Sequence, residues 1–354
     1  MKEDKIIPNK QELLYILLFF IVNILITIFL FVLLSESPKE NLTINTEEGV
    51  VTATLITLGF LTYTLGLRHA VDADHLAAID NAARKLVQEG KRPFFVGTFF
   101  SLGHSTIVII ISLILILSVR VILENISNIE TIGGIIGPTI SATFLYIISF
   151  INLLIFYQLY KLYKHWKKVG KIDEVSMDEV LGKRGFYSRI LRSLFKIVSR
   201  QWHMYLIGLL FGLGFDTATQ IATYGIAIAL TTTILPVQYI IIFPVLFTCG
   251  MTLLDTLDGI FMTSAYKWAF IKPISKLWYN ITMTLISVIV GFIIGSIEYL
   301  SIASTELGLS GGFWDFINSI DFESVGFMIV ATFGITWVTS WIIYKLRIEK
   351  ILKK

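Results

Sequence analysis

The chain has little with which to build thiol or charge chemistry. Its 354 residues contain one cysteine, Cys249. That excludes a disulfide within the chain and any cysteine-based metal cluster. Only 16% of the residues are charged, against about 25% in an ordinary soluble domain. The net charge of +3 is too small to mark a nucleic-acid surface. No G-x4-G-K-[ST] phosphate loop is present, so the chain is not expected to be an ATPase. The first apolar run lacks a small-residue cleavage site, so it is expected to remain as a membrane span.

What is present is apolar. Hydrophobic residues make up 55% of the chain, and the mean hydropathy is +0.75. Apolar runs of about 20 residues mark membrane-spanning helices. Eight are expected, near 13–34, 50–80, 94–119, 136–160, 203–230, 238–264, 278–300 and 324–344. The fold class is therefore all-α, a polytopic membrane helix bundle. Basic residues collect in alternate connections: Lys2, Lys5 and Lys10; Arg84, Lys85, Lys91 and Arg92; the stretch 161–200; Lys267, Lys272 and Lys276; and the C-terminal lysines. The intervening connections carry almost none. Basic loops stay in the cytoplasm, which places both termini there. The chain reads as a single integral-membrane domain, 1–354, with a basic cytoplasmic loop over 161–200.

A weak internal repeat is visible. Phe100-Ser-Leu-Gly103-His104-Ser105 in span three matches Phe247-Thr-Cys-Gly250-Met251-Thr252 in span six, 147 residues later. Gly66 in span two is matched with Gly212 in span five, 146 residues later. Spans three and six run in opposite directions in this topology. The expectation is an inverted repeat, spans 2–4 against 5–7, of the kind that builds a central site in transporters.

Ionisable groups in the bilayer core cost roughly 2.5–3.5 kcal/mol each on insertion scales, so each calls for a reason. They fall in four clusters. The first is Arg68-His69-Ala-Val-Asp72-Ala-Asp74-His75. On a regular helix His69, Asp72 and His75 share an arc of about 120°. Asp74 falls outside it, as a partner of Arg68 or an acceptor behind the ligands. A broken helix would let Asp74 ligate directly. Two imidazoles and a carboxylate suit divalent Ni, Co or Zn; the alternative is a satisfied polar network that pins helices together.

The second cluster is Gly103-His104-Ser105-Thr106, where His104 is a ligand or supports one. The third holds Asp216, Thr217 and Gln220, and the fourth Met251, Asp255 and Asp258. Asp255 and Asp258 can share one helix face. Three acids in apolar helices could attract a dication, carry protons or order the histidines. Met251 is either a soft ligand or packing. Of the five histidines, the remaining two, His165 and His203, are expected at a loop and its edge.

These four strings resemble the signature motifs of the nickel/cobalt transporter family (NiCoT): RHAVDADH, FFSLGHSTIV, LGFDTATQ and GMTLLDTLD, in order along spans two to six. The family's H-x4-D-H signature matches His69, Asp74 and His75. The resemblance implies a multi-pass permease of a prokaryotic cytoplasmic membrane that takes up Ni(II) or Co(II). The ion would be its substrate rather than a resident cofactor, and the lipid bilayer its only required surroundings. Gln220 departs from the family, where Glu often stands. The resemblance stresses Asp74 and helical geometry favours Asp72; both stay in the site. Driving force by a proton gradient or membrane potential is expected.

Two other readings compete. An exporter of related type often carries a His-rich cytoplasmic loop, and 161–200 holds only His165. A membrane acyltransferase could use the H-x4-D spacing of His69 and Asp74, but that motif belongs at the head of a soluble catalytic domain.

Overall fold

The structure, a computed structural model, describes residues 8–36, 42–46, 49–117, 126–169, 197–213, 223, 226, 230, 235–270 and 277–343. Helix α1 (Lys10–Ser35) opens on a capping box. The Asn9 side chain accepts from the Glu12 N–H at 2.7 Å, and Glu12 accepts from the Asn9 N–H at 2.8 Å. Two of the orphan donors at the helix start are satisfied that way. A short antiparallel hairpin follows, β1 (Leu42–Thr46) and β2 (Gly49–Ala53). Next come α2 (Leu55–His69), α3 (Ala73–Gln88), α4 (Val96–Leu117), α5 (Ile126–Val169), α6 (His203–Phe211), α7 (Val237–Ile240), α8 (Ile242–Phe270), α9 (Leu277–Glu306), α10 (Phe313–Asn318) and α11 (Phe322–Ile343).

Among the described residues, five helices are long and apolar enough to cross a membrane: α1, α4, most of α5, α7 with α8, and most of α9. Together with α2, α3 and α11 they form an all-α polytopic membrane bundle. The outward faces carry large apolar side chains, such as Leu18 and Ile21 on α1, Ile114 on α4 and Ile293 on α9. Hydrocarbon solvates those faces at no cost.

The second expected span differs from the sequence reading. Residues 50–53 form a strand, because β-branched Val50, Val51 and Thr52 pair with β1. Thr54 then starts α2 by accepting from the Thr57 N–H at 3.2 Å. The span itself is two helices, α2 and α3, joined by a turn at 70–72. Within the expected loop 161–200, residues 161–169 continue α5 as helix; 170–196 lie outside the described residues.

Helix α3 is the centre of the bundle. Every residue from Ala73 to Val87 is buried. Its alanines (Ala73, Ala77, Ala78, Ala82, Ala83) let neighbouring helices close in. Its polar residues reach outward to those neighbours. The Arg84 guanidinium donates to Ser287 (3.1 Å) and Thr284 (2.8 Å) on α9 and lies 4.0 Å over the Tyr266 ring of α8. Tyr266 donates to Asp80. Asn152 of α5 donates to Asn81 at 2.6 Å. Helices α5 and α9 are tied by further polar pairs, including Ser141 donating to Glu298 at 2.7 Å. In hydrocarbon such interhelical bonds replace the water that buried polar groups would otherwise lose.

Candidate metal centre

The site forms at the break between α2 and α3. Helix α2 ends at His69, and Asp72 takes the N-cap position of α3 with extended backbone (ψ 142°). An N-cap aspartate ordinarily accepts from its own helix. Here it makes no such bond; its Oδ2 sits 2.8 Å from His69 Nδ1. The first turn of α3 is served instead by Asp74, whose Oδ1 accepts from the His75 N–H at 2.9 Å. The carboxylates therefore divide the work. Asp72 orients an imidazole across the turn, and Asp74 complements the positive end of the α3 dipole.

His69, His75 and His104 meet at this point, all buried, and their ring nitrogens lie within 4.8 Å of one another. His69 Nε2 faces His104 Nε2 at 3.0 Å. The His69 and His75 rings are 4.5 Å apart, and those of His75 and His104 are 4.9 Å apart. Nitrogens bound to one ion at about 2.1 Å lie roughly 3.0–3.4 Å apart. The His69–His104 pair already has that spacing, and His75 offers a nitrogen within 4.8 Å of theirs. His75 Nε2 is buried and has no hydrogen-bond partner among the described residues. Such an orphan is costly unless a ligand satisfies it.

Asp255 of α8 flanks the cluster. Its Oδ2 lies 3.4 Å from His75 Nδ1 and accepts from the Ser101 hydroxyl of α4. Two phenyl rings wall off the histidines, Phe100 edge-on to His75 at 4.8 Å and Phe247 against His69 at 5.4 Å. Two carboxylates, Asp72 and Asp255, and two apolar rings thus surround the three imidazoles.

The remaining expected residues separate. Asp258 stands one turn beyond Asp255, outside the three-histidine group, and its Oδ2 has no hydrogen-bond partner among the described residues. Met251 is fully buried among Leu65, Ala70, Val108 and Phe247, as packing would have it. Ser105 is buried beside His104, and its hydroxyl lacks a hydrogen-bond partner among the described residues. Thr106 bonds the Leu102 carbonyl at 2.7 Å and the Tyr205 hydroxyl of α6 at 3.0 Å, so it joins two helices. Arg68 pairs with Glu323 of α11 and not with Asp74. Asp216, Thr217 and Gln220 lie outside the described residues. His203 accepts the Ser199 N–H at 3.4 Å, away from the cluster.

Sequence reasoning missed Phe100 and Phe247 as walls, though both sit in the repeated F-[ST]-x-G string. It also missed Glu323. The only signal there was an acid at the head of an otherwise apolar span.

Fold and site together define a polytopic helical membrane protein with an intramembrane imidazole site. A family model described as high-affinity nickel-transport protein matches residues 55–343. The chain is 44% identical over 295 residues to a high-affinity nickel transport protein of Cupriavidus necator, covering 83% of this chain and 84% of the relative. It is 45% identical over 296 residues to the nickel transporter NixA of Staphylococcus aureus (83% and 87% covered). It is 34% identical over 283 residues to the cobalt transport protein NhlF of Rhodococcus rhodochrous (79% and 80% covered). No solved structure matches the chain. The chain belongs to the nickel/cobalt transporter family, and is a transporter, not an enzyme.

Proposed function

We propose that this protein imports Ni(II) or Co(II) across the cytoplasmic membrane of a prokaryote, as a single eight-span domain with both termini in the cytoplasm. The observation that carries the reading is the convergence of His69, His75 and His104 at a helix break inside the bundle. The names of the relatives point to the same cargo.

The chemistry follows from the hydrogen bonds. Asp72 accepts the Nδ1–H of His69, which leaves its Nε2 lone pair aimed at His104. Without metal, one proton is then shared between the two Nε2 atoms. An entering dication takes that proton's place, the proton moving to Nδ1 of His104 so that both imidazoles stay neutral, and His75 closes the set. Asp72, Asp74 and Asp255 offset its charge, with Asp258 one turn further along α8. Protonation of the ligands from one side releases the ion, which couples transport to a proton gradient or membrane potential.

The inverted repeat is supported by how the helices touch. A Cβ at Gly66 would run into the Phe247 carbonyl, and one at Gly250 into the Tyr63 carbonyl and the Leu67 N–H. At the second crossing, Gly208 stands against the Phe100 carbonyl, and Gly103 against the Tyr205 carbonyl and the Leu209 N–H. Phe100 and Gly103 precede Phe247 and Gly250 by 147 residues; Tyr63, Gly66 and Leu67 precede Tyr205, Gly208 and Leu209 by 142. These contacts favour Gly208, rather than Gly212, as the counterpart of Gly66. The same offset sets Asp216 against Asp74 in the sequence. Two matched crossings around one site suit a rocking, alternating-access transporter.

The test is accumulation of nickel and cobalt by cells making the protein, with and without an uncoupler. Uptake above the empty vector that collapses with the uncoupler is expected. Undiminished accumulation would overturn the driving force, and none above the vector would overturn import.

A further inference from the structure

Arg68 and Glu323 are joined in a fork. Arg68 Nε lies 2.9 Å from both Glu323 carboxylate oxygens, and Nη2 lies 2.5 Å from Oε2. Bidentate pairs of this kind are the strongest and most directional of the charged hydrogen bonds. Each partner stands out in its own helix. Glu323 is the only charged residue of α11, whose sequence is otherwise apolar or hydroxylic. Arg68 is the only fixed cation of α2. The residues are 255 positions apart, so local sequence did not bring them together.

The pair sits beside the metal centre. Arg68 directly precedes His69, the ligand at the end of α2. One turn into α11, a Cβ at Gly326 would run into the Val71 carbonyl and lie 3.3 Å from Leu76. The start of α11 is therefore pressed against the turn that separates the two histidine-bearing helices. That start is itself well fixed. Asp321 caps α11 by accepting from the Ser324 N–H (3.0 Å) and hydroxyl (2.6 Å). The Ser324 hydroxyl, and then its N–H, hold the Asp321 carboxyl below its ordinary range, so it stays ionised near Arg68.

A fixed cation beside the path of a dication is a liability. Like charges repel in a medium of reduced polarity, and Arg68 is near enough to Asp72, the partner of His69, to interact with its charge. An Arg next to a cation ligand needs its charge cancelled, and Glu323 does this while Arg68 remains largely exposed, at 57% of its side chain. We infer that Glu323 is a positioning residue for metal entry: it cancels the charge of Arg68 beside the histidine cluster and anchors α11 to the α2–α3 turn. The inference rests on the import reading above.

The experiment measures initial nickel uptake against nickel concentration in cells making wild type, Glu323→Gln or the double variant Arg68→Gln with Glu323→Gln, at matched membrane levels. Glu323→Gln leaves Arg68 uncompensated. The half-saturating nickel concentration is expected to rise about tenfold, with the maximal rate within about twofold of wild type. Removing the arginine charge as well is expected to recover most of that loss, because no cation is then left beside the path. A purely mechanical tie would behave otherwise, since the double variant has lost the fork too. Unchanged half-saturation in Glu323→Gln, or a double variant no better than the single, would overturn the inference. Wild-type cells without uptake would instead overturn the import reading on which it stands.

Discussion

His69 and His104 face each other through their Nε2 atoms at 3.0 Å, while Asp72 holds the far nitrogen of His69 at 2.8 Å. The carboxylate decides which nitrogen of His69 is available, and the available one points at His104. Carboxylates behind metal-bound histidines are worth roughly 10–100-fold in affinity or activity when changed. Asp72→Asn should raise the half-saturating nickel concentration by about that factor at unchanged membrane level. Uptake kinetics of the variant check it, and a change below about threefold would deny Asp72 this role.

His104 and Met251 occupy matched places in the repeated string, yet they differ in surroundings. His104 faces an imidazole, and Met251 is buried in an apolar cluster with Leu65, Ala70, Val108 and Phe247. His104→Ala should cut uptake by about 100-fold or more at submicromolar nickel. Met251→Leu conserves volume in an apolar site and should stay within about twofold of wild type. Radiolabelled nickel uptake separates the two.

The glycine crossings make a paired prediction about folding. Any Cβ at Gly66 or Gly208 meets a carbonyl of the facing helix. Overpacking of that kind costs about 1–3 kcal/mol, or more where backbone is the obstacle. Gly66→Ala and Gly208→Ala should each lower the thermal midpoint of the purified protein in detergent, by similar amounts. Gly134→Ala, where a Cβ meets nothing within 4 Å, is the control and should not lower the midpoint, since Ala is the better helix former. A drop at one crossing alone would argue against their equivalence.

Protons and metal compete for the same lone pairs. A protonated imidazole has none to offer, so bound metal favours the deprotonated ligands. Nickel affinity of the purified protein should fall as pH is lowered from neutral, and binding in weak buffer should release protons. Titration calorimetry in buffers of different ionisation enthalpy reads both. Affinity that is flat with pH, or proton uptake on binding, would contradict the ligand set.

Much of the site was legible because polar groups are conspicuous in apolar helices. His69, His75, His104 and Asp255 could be picked out one by one, and the structure sets them side by side. The break that gathers them was not legible. A 3.6-residue period places His69, Asp72 and His75 on one arc of a straight helix, whereas the chain turns at 70–72 and restarts at an N-cap. A carboxylate that caps nothing looks, in sequence, like any other N-cap. Glu323 was invisible for another reason. Its partner is 255 residues away, and nothing in either local string names the other. In the proposed repeat the choice of counterpart for Gly66 turns on contacts rather than letters. Likeness of letters matched Gly66 with Gly212, while the carbonyl contacts of Gly66 are those of Gly208.

The most direct test of the central claim, that the three buried imidazoles hold the transported ion, is nickel and cobalt accumulation at submicromolar supply. Wild type is compared with His69→Ala and His75→Ala at equal membrane levels. The geometry predicts accumulation by wild type and its loss in both variants, since each removes one nitrogen of the same cluster. Uptake that persists in both variants would contradict it.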